Sequence, residues 1–104
     1  MPETYRVIIV AEAIDNLNGI LEYIKQDSPQ NAAKTFNRLW SHCQSLAILP
    51  RRHEVHQHRK ASALTVHSMP VPPFIVYYRV DDHARTVRVI SVRHGAQKQP
   101  RRFK

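Results

Sequence analysis

The segment Phe74–Gln97, FIVYYRVDDHARTVRVISVRHGAQ, limits the folds open to this chain more than any other. Its first run, Phe74–Val80, is almost wholly β-branched or aromatic, the composition of a strand. The second, Thr86–Val92, sets Val87 and Val89 against Ile90 and Val92, so apolar residues occupy both parities. Successive strand side chains alternate faces, so this hairpin belongs in a sheet covered at least partly on both sides. Asp81-Asp82-His83 supplies the polar residues of a tight reversal. The second run ends in Arg93-His94-Gly95, polar groups at the mouth of a loop, where binding and catalytic surfaces commonly lie.

The remaining elements are arranged before this hairpin. Thr4–Val10, TYRVIIV, is a short β-branched strand candidate. Across Ala11–Gln26, Ile14, Leu17, Leu21 and Ile24 repeat with helical spacing. Asp27-Ser28-Pro29 breaks that helix, and Ser28 followed by Pro29 suits the N-cap and first turn of a second one. The second helix runs from Pro29 to about Ile48 with Ala33, Phe36, Trp40, Cys43 and Ala47, flanked by Ala32, Leu39 and Leu46. Phe36 and Trp40 read as core, and Pro50 ends the element. Leu64–Met69 is a further strand, joined to the hairpin through Pro70, Pro72 and Pro73. The order predicts an α+β domain over residues 1–97, followed by a basic tail at 98–104. Its parts are an N-terminal strand, a helical hairpin packed on one face, and a three-strand antiparallel meander. A chain of 104 residues suits one core.

Arg51–Ala63, RRHEVHQHRKASA, has no apolar period and reads as a surface loop made cationic by Arg51, Arg52, Arg59 and Lys60. Its His53-Glu54-Val55-His56-Gln57-His58 misses the four-residue histidine spacing on a helix that zinc proteases use, so no metal site is expected. With Gly19 and Gly95 as its two glycines the chain has no phosphate-cradling loop, and no cofactor is expected. No apolar run approaches the roughly 20 residues of a membrane span. The single cysteine, Cys43, reads as a core residue, and MPETYRV lacks an export leader, so a cytoplasmic location is expected.

Charge divides the chain. Through Leu49 four Lys/Arg face five acids, whereas from Pro50 onward twelve face three, and six of the seven histidines lie there. A half with a balance of +9 attracts an anionic partner, nucleic acid or an acidic protein segment. Both helices fall in the near-neutral half, which disfavours sequence-specific DNA reading by a recognition helix.

Several stretches in fixed order carry a family likeness. They are Ala13-Ile14-Asp15-Asn16-Leu17 with Ile20, Tyr23 and Ile24, then Ser28-Pro29-Gln30-Asn31-Ala32, then Leu46–Pro50. The most specific is Val76-Tyr77-Tyr78-Arg79-Val80-Asp81 leading to Val89-Ile90-Ser91-Val92-Arg93-His94-Gly95. Over residues 5–97 the chain resembles the RelE/ParE toxins of bacterial type II toxin–antitoxin modules, which act in growth inhibition and plasmid stabilisation. The resemblance implies neutralisation by a small antitoxin with an acidic segment, through which operator DNA would mainly be contacted.

The family offers two mechanisms. RelE-like members cleave messenger RNA on the ribosome, which calls for acid/base groups and cations around one phosphodiester. Phe74-Ile75 stands where the family places an arginine at the strand start, and the C-terminal arm has no tyrosine. The remaining nuclease set is His94, Arg93 and Arg88, with Tyr77 or Arg59 if the loop folds over; histidine suits proton transfer near neutrality. ParE-like members bind and inhibit DNA gyrase without chemistry of their own. The start Phe-Ile-Val-Tyr-Tyr-Arg-Val resembles these better, so gyrase inhibition is the expected function, with Arg79, Arg88, Arg93, His94 and Arg59 as binding candidates. An endoribonuclease and an inactive basic protein-binding module are the alternatives.

Overall fold

A computed structural model describes residues 4–48, 50 and 65–95 in full and the backbone of 54–58. The elements are β1 (Arg6–Ile9), α1 (Ala11–Asp27), α2 (Pro29–Gln44), a 3-10 turn (Ser45–Ala47), β2 (Glu54–His58), β3 (Thr65–Val71), β4 (Phe74–Asp81) and β5 (Thr86–His94). The strands form one mixed sheet in the order β1-β5-β4-β3-β2, with β1 parallel to β5 and every other pair antiparallel. The α+β architecture expected from the sequence is present, with the helical hairpin on one sheet face. The tail 98–104 and Arg51, Arg52, Arg59 and Lys60 lie outside the described residues.

One residue joins the two helices. Ser28 donates its N–H to the Ile24 carbonyl, closing α1, and its hydroxyl accepts from the Asn31 N–H at 3.1 Å, opening α2. Pro29 follows at the first helical position, where a missing N–H costs nothing. Removing the hydroxyl orphans an N-terminal donor, so Ser28→Ala is expected to cost about 1 kcal/mol. Thermal unfolding should show it as a midpoint lower by about 4–8 °C; an unchanged midpoint would show that the cap contributes nothing.

The buried side of each helix is rotated from the stripe that spacing alone suggests. In α1, Ala13 and Leu17 are buried with Ile20, Leu21 and Ile24 packed beside them, while Ile14 is 46% exposed. In α2, Ala32, Leu39 and Cys43 are buried, and Phe36 and Trp40, expected in the core, are 36% and 44% exposed. A helix carrying two apolar stripes turns only one to the sheet, and the slimmer stripe allows closer packing. The excluded aromatics stack on each other at 5.8 Å, which shields part of both rings.

Burial raises the Cys43 thiol from its ordinary 9.0 to about 11. The folded state favours the neutral thiol, so this group leaves stability undiminished below pH 9 and erodes it as the pH rises from there toward 11. Iodoacetamide at pH 8 should therefore label Cys43 only after denaturation. Labelling of the native chain at a free-thiol rate would contradict this burial.

The meander has one strand more than expected. Glu54–His58, read as part of a loop, pairs antiparallel with β3, Glu54 opposite Ser68 and His58 opposite Thr65, across an irregularity between Val55 and Gln57. Its polar sequence hid it, because an edge strand need not carry an alternating apolar face, and polar residues there discourage further pairing. It is held by main-chain partners on β3, whose outer N–H and C=O groups require them.

The sheet centre explains the apolar residues on both parities of the second hairpin run. Tyr77 pairs with Ser91 but Tyr78 with Val89, so Ile90 is an extra residue, a β-bulge. Val87, Val89 and Val92 consequently all join the core under the helices, with Phe74, Val76, Tyr78 and Val80 from β4. Ile90 joins Val66, Ile75 and Tyr77 in a smaller cluster on the other face. The Tyr78 hydroxyl donates to the Pro50 carbonyl, tying the chain after α2 to the sheet. The β4–β5 turn is fixed at the opposite end, where the Tyr5 hydroxyl donates to Asp82 Oδ1 at 2.6 Å and the Arg85 guanidinium lies 5.7 Å from the Tyr5 ring centre.

Candidate functional site

The site is a cavity of about 840 Å³ between the helical hairpin and the far end of β4 and β5. Its position follows from where β1 stops. β1 covers β5 from Thr86 to Val89, and Val10 donates its N–H to the Val89 carbonyl before the chain turns into α1. Beyond that point the outer edge of β5 meets a helix instead of a strand. Asn16 of α1 supplies the missing acceptor: its Oδ1 takes the Val92 N–H at 3.1 Å and the Ser91 hydroxyl at 3.0 Å. Ser91 Oγ in turn accepts from Arg93 Nε at 3.1 Å. An amide on α1 thereby orients a guanidinium on β5.

The β3–β4 turn forms another wall. Arg38 of α2 donates to the Pro72 carbonyl, and Gly95 donates its N–H to the Pro73 carbonyl at 2.7 Å. A Cβ at Gly95 would stand 3.0 Å from that oxygen, so glycine allows β5 to leave the sheet this close to the turn. His94 pairs across the strands with Phe74 and meets its ring edge-on at 5.5 Å. The lining sets an apolar floor, including Ile20, Ile24, Phe74 and Val92, beneath Lys34, Arg38, Arg93 and His94, with Asp15 as its acid.

The candidates named from the sequence divide into two groups. Arg93 and His94 line the cavity. Arg79 and Arg88 do not; they pair across β4 and β5 on the sheet face away from the helices, Arg88 exposed and Arg79 half-buried. Tyr77 shares that face but is 1% exposed, packed with Val66, and burial raises its phenol against the opposing charge of Arg93. Arg59 lies outside the described residues. Sequence reading did not single out Asn16, Lys34 or Arg38. Asn16 had a legible signal, an amide three residues from Ala13 and four from Ile20 on the buried side of α1. Arg38 had none, since its carbonyl partner is 34 residues away.

Comparison with known proteins agrees with this architecture. Residues 7–99 match the model of the ParE toxin of the type II toxin–antitoxin system parDE. Toxin RelE2 of Caulobacter vibrioides is 33% identical over 92 residues, covering 88% of this chain and 97% of that protein. Among solved structures, a chain of the chromosomal ParDE system from P. aeruginosa superposes with a TM-score of 0.66 at 13% identity, over 88% of this chain and 97% of that one. A chain of the RelBE2 toxin–antitoxin complex from Mycobacterium tuberculosis does so with 0.57 at 20% identity, over 90% and 94%. No helix among the described residues is long and apolar enough to cross a membrane. A sheet with a helical hairpin on one face, matched to these relatives over nearly its whole length, makes this chain a toxin of the RelE/ParE family of type II toxin–antitoxin systems.

Proposed function

We propose that this toxin acts in the cytoplasm by binding and inhibiting DNA gyrase, and that a cognate antitoxin neutralises it. The observation that carries this reading is the dispersal of the groups a nuclease would need. Arg88 and His94 lie six positions apart on β5, roughly 20 Å along a strand. Acid/base groups serving one phosphodiester must reach the same few atoms, within about 3 Å of each. Tyr77, the other proton donor of that set, is buried. A binder needs only a shaped cationic surface, and Arg93 with His94 supplies one at the rim of a cavity. The match to the ParE toxin model supports the same choice.

Ribosome-dependent cleavage of messenger RNA is the second reading, favoured by the likeness to Toxin RelE2 and by the arginine pair Arg79 and Arg88 on one sheet face. Pulse-labelling after induction in bacteria without antitoxin separates the two. Early loss of DNA synthesis is expected, together with inhibition of supercoiling by purified gyrase. Early loss of protein synthesis with cut messages would instead establish the nuclease, and undisturbed growth would leave an inactive basic binding module.

A further inference from the structure

We infer that the outer flank of α2, centred on Phe36 and Trp40, is a contact surface between two copies of this chain. Both rings are exposed and stacked on each other, while Leu39 and Cys43 of the same helix are buried. With Ala33 they stand at i, i+3 and i+7, the spacing of a narrow helix–helix seam. Two large rings side by side on a surface mark a contact face, as a lone exposed leucine would not. The flank carries no charge, since Ala33, Asn37 and Gln44 border the rings. The cations of α2 point elsewhere: at about 100° per residue, Arg38 lies about 200° round the helix from Phe36, where it lines the cavity with Lys34. Aromatic residues without charges are the composition of an interface centre.

Charge selects a second copy as the occupant. The chain carries +8 overall, which opposes self-association, but its balance through Leu49 is −1. Joining two copies through α2 therefore brings near-neutral surfaces together. Arg79 and Arg88 lie on the sheet face away from the helices, so the sheet itself stands between them and the contact. At physiological salt, repulsion over more than about 8 Å is largely screened. An acidic partner or a nucleic acid gains little from a flank without cations. The flank is also self-complementary. In an antiparallel crossing about a twofold axis between the rings, Trp40 of each copy meets Phe36 of the other, and Ala33 leaves room beside Gln44. The cavity opens on the other side of α2, so the pair presents Arg93 and His94 twice, and a target with two sites would be held more tightly than by one copy.

Trp40 is the single tryptophan of the chain, so its fluorescence reports on this flank alone. Sedimentation equilibrium and Trp40 emission of the purified full chain are to be followed from roughly 1 to 300 µM, the range in which a contact of one helix per copy forms. The mass is expected to rise from one chain to two, with emission moving to shorter wavelength over the same concentrations. Phe36→Glu places two carboxylates near the axis and Asn37→Lys two ammonium groups; both positions are exposed, so both variants should fold. Each is expected to weaken association about tenfold or more, while Arg79→Ala on the far sheet face leaves it unchanged. A single-chain mass at every concentration, pairing without an emission shift, or pairing that survives both substitutions overturns the proposal. If the chain stays single and the variants instead lose gyrase inhibition or antitoxin binding, the flank belongs to that partner and the proposal fails.

Discussion

Replacing Arg93 and His94 together by alanine is expected to abolish growth arrest while the protein remains folded. Arg93 is half-buried and His94 exposed, and both line the cavity at the end of β5. An arginine held in place by a side-chain hydrogen bond is the kind of group that dominates an interface; its truncation costs about 2 kcal/mol or more. A comparable loss at His94 would bring the total near 4 kcal/mol, about a thousandfold in affinity. The cost to the fold is much smaller. Losing the bond from Arg93 to Ser91 and the edge contact from His94 to Phe74 removes about 1–2 kcal/mol. Gyrase supercoiling titrated with wild type and variant, alongside thermal unfolding of both, makes the comparison. Full toxicity in a folded double variant would move the functional surface elsewhere, with the Arg79 and Arg88 pair next in line.

The second large effect is expected at Asn16, and here it falls on stability. Asn16→Ala leaves the Val92 N–H and the Ser91 hydroxyl without the acceptor they share. An orphaned buried donor costs about 1–3 kcal/mol, so the unfolding midpoint should fall by roughly 4–8 °C per kcal/mol lost. Hydrogen exchange at the Val92 amide should accelerate more than exchange at amides elsewhere in the core. Asn16→Asp keeps an acceptor at the same position and is expected to restore most of the loss. Equal stability of Asn16→Ala and wild type would mean that the edge of β5 is held by packing alone.

The residues most legible in the sequence were those with local causes. Ser28-Pro29 marked the junction of the helices because capping is a matter of four consecutive residues, and the run Phe74–Val80 marked a strand through composition. The faces of the helices were less legible. Phe36 and Trp40 outrank Leu39 and Cys43 in size, yet the core took the slimmer pair, a choice made by the packing partner and absent from the helix's own spacing. Glu54–His58 was invisible for the related reason that an edge strand is defined by its neighbour's backbone. At the site, Arg93 and His94 were found because they close a strand where it meets a loop. Arg88 was grouped with them by proximity in sequence, which extended chain converts into distance. Lys34 and Arg38 reach the same cavity from α2 by a tertiary placement that no stretch of sequence records, whereas Asn16 shows in the sequence only as an amide on the apolar side of α1.

The bulge in β5 decides on which side of the sheet the cationic end of the strand presents its charges. Before Ile90 the odd positions Val87 and Val89 point toward the helices; after it the even positions Val92 and His94 take over. Ile90 thus acts as a half-period phase change in the strand. Exchanging it for another β-forming residue would preserve the phase, and with it the placement of every later side chain. Deleting it would leave Tyr77 opposite Ser91 and Tyr78 opposite Val89 in a regular ladder, with Arg93 and His94 on the sides they already occupy. Keeping it in strict alternation, without the bulge, would turn His94 outward and Arg93 inward with no cation gained or lost. The same charges in the same order could therefore present opposite surfaces, according to whether the strand bulges at Ile90 or alternates through it.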